Sequence, residues 1–98
     1  MKIVYDMKWN DIHMYNIIEN NNIIGSMEVI DEGDKFFLEN IYIDEKFRGR
    51  GFLRECIKYI NQKPIACLPL RKHVEKFKHL GFCKYKTEGT DVYYLLDS

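Results

Sequence analysis

Five consecutive residues, Arg48, Gly49, Arg50, Gly51 and Phe52, have the types and spacing of an anion-binding turn between a β-type segment and a helical one. Glycines at such a junction let several backbone N–H groups point outward together, and the N-terminus of the following helix adds partial positive charge. The arginines add full charges and donors that suit phosphate, so a diphosphate is the natural ligand. A solvated basic turn, or an arginine–glycine contact with RNA, is the alternative that this spacing leaves open.

A carboxylate in an apolar run, Glu39, is the second candidate. The run over residues 35–43 is rich in Phe, Leu, Ile and Tyr, which favours a half-buried strand. Because side chains alternate along a strand, one face is expected to hold Phe37, Glu39, Ile41 and Ile43. The other face is expected to hold Leu38, Asn40 and Tyr42. A carboxylate in such a row is a candidate general base, and a surface glutamate that balances a lysine is the alternative.

The cysteines and histidines predict free thiols and no metal site. The cysteines are odd in number and lie in apolar surroundings: Cys56, Cys67 and Cys83. No metal-ligand spacing relates them to the histidines His13, His73 and His79. Cys67 ends a short predicted strand and is a candidate nucleophile, with a buried structural cysteine as the alternative.

Composition predicts one domain over residues 1–98 and excludes several classes of protein. The 98 residues include 15 basic and 15 acidic side chains, so there is no net charge to attract nucleic acid or anionic lipid. No apolar run approaches the ~20 residues of a membrane span. No N-terminal stretch is similar to a signal peptide, so we expect a cytoplasmic chain.

The elements that must position these residues are expected in the order β-β-β-α-β-α-β-β. Runs over 13–18, 23–30 and 35–43, separated by turn residues, predict an antiparallel meander, and residues 1–5 are a candidate for one more strand. Helical spacing begins at the glycines and stops before Lys63, and a second helix is expected over about 71–80 with Gly81 as its C-cap. Short strands are expected over 65–68, 82–86 and 91–96. The fold class is α/β or α+β, with helices on a mixed sheet.

The segment from Leu38 to Gly51 resembles motif A of the GNAT superfamily of N-acetyltransferases. There, Gln or Arg, two residues, Gly, one residue, and Gly or Ala follow the fourth strand. Residues 48–52 match the first five positions, and Leu53 departs from the sixth. The segment 79–82 is also similar to the end of the family's last helix. The resemblance spans residues 12–96 and implies a mixed, mostly antiparallel sheet with two helices.

The resemblance implies that acetyl-CoA is the cosubstrate, and the histidine and cysteine spacing given above predicts no metal beside it. The expected cofactor-binding residues are Ile41, Tyr42, Ile43, Arg48, Gly49, Arg50, Gly51, Phe52 and Leu53. Of these, the residues from 48 onward would hold the diphosphate, and the strand around Ile41 and Ile43 the pantetheine arm. Glu39 resembles the strand carboxylate that some small-amine and polyamine enzymes of the family use through water. Very small GNAT-like proteins have a cysteine after a similar proline, so Cys67 is a candidate covalent acetyl carrier.

Three departures from the family bear on catalysis. The family commonly has a Tyr four residues before the helix-ending Gly, where it protonates the leaving thiolate, and here that residue is Phe77. Leu70 lies near the place of a common Asn. Tyr85, Tyr42 and His73 are candidate replacements for the proton donor. Only residues 1–11 precede the meander, so the two helices that usually wall the acceptor site are expected to be missing.

We therefore expect an N-acetyltransferase with an open acceptor side. Its acceptor would be an amine, such as a protein or peptide lysine, an N-terminus or a small amine, and a second subunit completing the site in a homodimer is a further expectation. Trp9 or Tyr15 could contact such an acceptor, with ordinary packing as the alternative. A catalytically silent GNAT-like module that binds acyl-CoA or a protein is the second hypothesis, and an RNA- or phosphate-binding domain is the third.

Overall fold

The computed structural model of the chain describes residues 1–97 and contains a seven-stranded sheet with two α-helices. The strands are β1 (Lys2–Trp9), β2 (Ile12–Glu19), β3 (Asn22–Asp31), β4 (Phe36–Ile43), β5 (Ile65–Cys67), β6 (Cys83–Glu88) and β7 (Asp91–Leu96). The helices are α1 (Phe52–Ile60) and α2 (Val74–His79). Short 3₁₀ turns, Glu45–Phe47 and Arg71–His73, precede them.

The sheet is mixed and mostly antiparallel, as predicted. Its strand order is β1-β2-β3-β4-β5-β7-β6, and β4 with β5 is its parallel pair within residues 1–97. α1 forms the crossover between these two parallel strands. Parallel strands need such a crossover because a tight turn cannot join them. The predicted fold class is therefore confirmed.

The meander has four strands instead of the predicted three. β1 covers Lys2–Trp9, well beyond the candidate strand over residues 1–5, and pairs with β2 through a turn at Asn10. Almost all side chains of β1 are exposed, because it is an edge strand, and its sequence therefore lacks the apolar alternation of a buried strand. The predicted hairpin at the asparagines is confirmed: Asn20 and Asn21 have φ of 50° and 65° in the turn between β2 and β3.

A β-bulge interrupts the pairing of β3 with β4 at Glu39. Glu28 pairs with Asn40 and Val29 pairs with Leu38, which leaves Glu39 as an extra residue on β4. A bulge of this kind bends its strand and locally breaks the hydrogen-bond ladder. Glu39 therefore lies at the point where β4 changes direction.

The bulge also reverses the alternation of side chains along β4. Leu38 and Ile43 are both buried although they are five positions apart, and Ile41 packs against the same core. In an uninterrupted strand, residues an odd number apart lie on opposite faces. The prediction that Glu39 shares a face with Ile41 and Ile43 is therefore wrong, because the extra residue shifts the register by one.

Both helices pack apolar side chains into the core. α1 contributes Cys56, Ile57 and Ile60, at the predicted helical spacing. On α2, Phe77 contacts Phe82 edge-on, with ring centroids 5.2 Å apart. α2 is shorter than the predicted helix over 71–80, because its first residues form a 3₁₀ turn after Pro69.

Residues 1–97 lack two features that would bear on function, a membrane-spanning helix and a cluster of metal-ligand side chains. Over residues 1–97, no helix is long and apolar enough to cross a membrane. The same residues contain no group of three or more His, Cys, Asp or Glu side chains arranged to hold a metal ion. The cysteines are free, and Cys83 is exposed, contrary to the apolar setting that we expected for it.

Candidate functional site

A cavity beside most of the predicted residues lies where β4 and β5 part. The two strands pair over only three positions, from Phe36 with Ile65 to Leu38 with Cys67. β4 then continues to Ile43 alongside β3, whereas β5 ends and the chain turns away at Pro69. The resulting cavity, which we call the first cavity, has a volume of about 1010 Å³ and is bordered by β4, β5, α1 and α2.

The free side of β4 exposes backbone hydrogen-bonding groups to the first cavity. The N–H of Asp44 donates to the carbonyl of Ile24 across the strand pair, at 2.7 Å. Bonding direction alternates along an antiparallel strand, so the peptide groups of Ile43 and Ile41 point away from β3. The Nε of Arg48 donates to the Ile43 carbonyl at 2.7 Å, which is consistent with this carbonyl pointing away from β3. The free groups are thus the N–H of Ile43 and both polar groups of Ile41.

The turn before α1 presents N–H groups to the same cavity. Gly49 and Gly51 have φ of 77° and 81°, a left-handed conformation that L side chains rarely adopt. The first hydrogen bond of α1 runs from the N–H of Glu55 to the carbonyl of Gly51, at 3.2 Å. Within residues 1–97, the N–H groups of Phe52 and Leu53 donate to no acceptor, as is usual at a helix start. Free amides at a helix N-terminus suit an anion, and we call residues 48–53 the candidate anion-binding turn.

The first cavity is lined by more basic side chains than the sequence analysis identified. The basic lining residues are Arg48, Arg54, His73, Lys76 and His79. His73, Lys76 and His79 recur at every third position, which places them along one side of α2 and its preceding turn. That spacing is a sequence signal that could have identified Lys76 and His79, whereas His73 was already a candidate as a proton donor. Burial, together with the positive charges of Lys76, Lys72 and Arg48, lowers the pKa of His73 below its ordinary value.

Most of the predicted site residues border the first cavity. Those that line it are Glu39, Ile41, Tyr42, Ile43, Arg48, Gly49, Gly51, Phe52, Leu53 and Cys67. Arg50 and Tyr85 do not. The guanidinium of Arg50 lies over the ring of Phe47 instead, 5.0 Å from its centroid. Tyr85 borders a second cavity, of about 420 Å³, near β6 and β7.

Glu39 borders both cavities. It lines the first with β4 and the second with Tyr85 and Tyr93. Its carboxylate forms no ion pair within residues 1–97, although Lys35 and Lys86 also line the second cavity. A ligand in the first cavity and a ligand in the second cavity would therefore both lie next to the Glu39 carboxylate.

Comparison with known families identifies the fold. The sequence profile of the acetyltransferase (GNAT) family matches residues 2–82, which is most of the chain. The chain belongs to the GNAT acetyltransferase family. The candidate anion-binding turn and the parted strands of this GNAT chain lie within the matched residues. A comparison with curated protein sequences finds no match.

Solved structures with the same fold include several acetyltransferases. An acetyltransferase from Thermus thermophilus superposes with a TM-score of 0.78 at 16% identity, covering 91% of this chain and 66% of that one. An N-acetyltransferase (PaiA) from Thermoplasma acidophilum in complex with coenzyme A gives 0.70 at 17% identity, covering 90% of this chain and 62% of that one. A GNAT acetyltransferase from Elizabethkingia anophelis with acetyl-CoA bound gives 0.70 at 15%, covering 90% and 77%. The chain thus spans less than two thirds of the length of the first two.

Two residues of this GNAT chain, Cys67 and Phe77, are poorly suited to act as a nucleophile and as a proton donor, respectively. Burial raises the pKa of the Cys67 thiol to about 12, so the nucleophilic thiolate is scarce at neutral pH. Phe77 lines the first cavity but is buried and has no hydroxyl to protonate a leaving group. Tyr42 and His73, which also line the cavity, do carry exchangeable protons.

Proposed function

We propose that this chain is an acetyl-CoA-dependent N-acetyltransferase that transfers acetyl directly to an amine. The observation that carries the proposal is the first cavity. It combines a free strand edge, which suits an extended amide-bearing arm, with an N–H-rich turn and basic side chains, which suit a diphosphate. Membership of the GNAT family supports the same cosubstrate.

Two regions of the first cavity would bind two parts of acetyl-CoA, the diphosphate and the pantetheine arm. The amides of residues 49–54 and the side chain of Arg54 would hold the diphosphate. The free groups of Ile41 and the N–H of Ile43 would hold the pantetheine amides, because the Ile43 carbonyl is already bonded to Arg48. A backbone N–H of this strand could also stabilise the oxyanion that forms as the thioester is attacked.

Glu39 is the proposed base. Most amine acceptors are protonated at neutral pH and must lose a proton before they attack a carbonyl. Glu39 would take that proton directly or through one water, the amine nitrogen would bond to the acetyl carbon, and the thiolate of CoA would leave. Tyr42 would return a proton to the thiolate, because burial and nearby positive charges disfavour the protonated form of His73. Tyr85, which shares the second cavity with Glu39, would contact the acceptor instead.

Calorimetric titration with acetyl-CoA and with CoA tests the donor half. Wild type is expected to bind both, and Gly51→Glu is expected to bind at least about tenfold more weakly, because its carboxylate would enter the anion site. Gly33→Glu is the matched control: Gly33 also has a left-handed φ, 92°, and open space beyond its Cβ position, but it lies outside both cavities. Failure of the wild type to bind would overturn the proposal.

A catalytically silent GNAT module is the second candidate, and Phe77 is the observation that favours it. Release of free CoA thiol in the presence of an amine panel separates the two. An active enzyme releases CoA only when an acceptor is present, whereas a silent module binds acetyl-CoA without amine-dependent release.

A further inference from the structure

The second cavity already holds an ammonium group of the chain itself. The Nζ of Lys86 lies 4.8 Å from the ring centroid of Tyr93 and 5.7 Å from that of Tyr85. These are distances at which a cation is attracted to the face of an aromatic ring. An unbranched alkyl chain that ends in an ammonium group therefore fits the aromatic wall of this cavity.

One carboxylate that lines the second cavity is not paired with a lysine and is therefore available to bind a further cation. Lys86 pairs with Glu88, at 3.3 Å, and Glu88 does not line the cavity. Lys35 pairs with Glu32, at 3.6 Å. Glu39, by contrast, has no ion-pair partner within residues 1–97.

The side chain of Lys86 is free to leave the rings. It is 44% exposed, and its partner Glu88 is 60% exposed, so the ion pair does not depend on the cavity. A second ammonium group near the rings would be repelled by Lys86 as long as that side chain stays in place. Binding of an external cation therefore requires the Lys86 ammonium group to move away from the rings and into solvent.

We propose that the second cavity is a subsite for an unbranched primary alkylammonium group, and that Lys86 is its resident competitor. The external ammonium group would rest on Tyr93 and Tyr85 with Glu39 as its counter-ion. Its role as the acceptor rests on the proposed acetyl transfer, whereas its binding does not. The group could belong to a free alkylamine or to a lysine side chain of another protein.

Titration with pentylammonium, followed by the NMR signals of the Tyr85 and Tyr93 rings, tests the subsite without acetyl-CoA. Lys86→Ala is expected to bind at least tenfold more tightly than wild type, and Lys86→Gln to change in the same direction. Lys84→Ala is the matched control, because Lys84 lies on the same strand and lines neither cavity. Adding Tyr93→Leu to Lys86→Ala is expected to abolish the gain. Pentanol, which is neutral and of similar shape, is expected not to bind.

Equal pentylammonium affinity in wild type and Lys86→Ala, or equal binding of pentanol, would overturn the proposal. Nα-acetyl-lysine methylamide distinguishes the sources: binding as tight as pentylammonium supports a protein lysine, and much weaker binding supports a free amine. The CoA-release assay separates this inference from the proposed function. Ammonium binding without transfer would overturn transfer alone, and transfer without any effect of Lys86 would overturn the subsite alone.

Discussion

At the scale of single residues, the candidate chemistry depends on Glu39 and His73. Glu39 has its position between the two cavities because it is the extra residue of a bulge, and it has no ion-pair partner within residues 1–97 that would occupy its carboxylate. His73 lines the first cavity, where burial and the nearby positive charges disfavour its protonated form and lower its pKa. Each residue leads to a prediction with its own pH dependence.

Glu39→Gln is expected to lower kcat/KM for acetyl transfer by roughly 100-fold or more, because a general base contributes about that much. Steady-state kinetics from pH 6 to 9 would measure this, and the difference is expected to shrink at high pH, where more of the amine is already neutral. Glu28→Gln is the control, since Glu28 lies on the neighbouring strand and lines neither cavity. Equal rates for Glu39→Gln and wild type at every pH would exclude Glu39 as the base.

The pKa of His73, which is lowered in the folded chain, predicts how stability depends on pH. The unfolded chain binds a proton on this residue at a higher pH than the folded chain does. The contribution of His73 to the free energy of unfolding is therefore present above the pKa of the unfolded chain, about 6.5. This contribution decreases as pH falls below that value. Urea unfolding at pH 7.5, 6.5 and 5.5 would measure the slope.

In the His73→Gln variant, the free energy of unfolding is expected to lose the part of its pH dependence that His73 contributes. Replacing both Lys72 and Lys76 with Gln is expected to reduce it, because these charges contribute to the shift of the His73 pKa. A slope unchanged in His73→Gln would show that the imidazole does not contribute.

At the scale of elements, the site depends on how β4 is held. β3 binds one side of β4 along its length, whereas β5 covers only its first three residues. The close contact with β3 requires Gly25, because a Cβ at that position would overlap the carbonyl oxygen of Tyr42. Tyr42 and Ile43 border the first cavity, so strand packing and ligand binding are coupled here.

Gly25→Ala is therefore expected to lower the free energy of unfolding by about 2 kcal/mol or more, because backbone rather than a flexible side chain must move. Affinity for acetyl-CoA is expected to fall as well, since the moving strand lines the cavity. Gly89→Ala is the control for backbone strain: its φ is 62° and its Cβ position is open, so a loss of only about 1 kcal/mol is expected. Similar losses in both variants would contradict the strand-contact explanation.

At the scale of the whole molecule, one core links the sheet to both helices and excludes two of the three thiols from solvent. Cys56 and Cys67 belong to that core, and burial raises their pKa values to about 11 and about 12. Cys83 is exposed. The thiols therefore report on exposure of the core as a whole.

A thiol-reactive dye at pH 7.5 is expected to label one cysteine quickly and two slowly. Replacing Cys83 with Ser is expected to remove the fast phase only. The slow phase is expected to slow further with saturating acetyl-CoA, whose sulfur is blocked and does not react with the dye, because a ligand that binds only the folded chain reduces the unfolded population. Fast labelling of two or more cysteines in the folded chain would contradict the burial of Cys56 and Cys67.

Local sequence patterns were sufficient to predict most of the elements. The asparagines at 20 and 21 predicted a hairpin because they tolerate positive φ, and the apolar spacing of α1 predicted its buried side. The candidate anion-binding turn was predictable for the same reason, since its glycines and the following helix are consecutive residues. β1 was only partly predicted, because an exposed edge strand has little need for apolar alternation.

The sequence by itself thus determined most of the elements, the asparagine hairpin and the glycine-containing turn before α1, all of which arise from interactions between near neighbours in the chain. Only the tertiary structure decided that Glu39 is a bulge and that it lines one cavity together with Tyr93. The bulge is defined by pairing with β3, and the second cavity forms because strand order brings β7 next to β5. Such contacts join residues that are distant in sequence, so no local pattern specifies them.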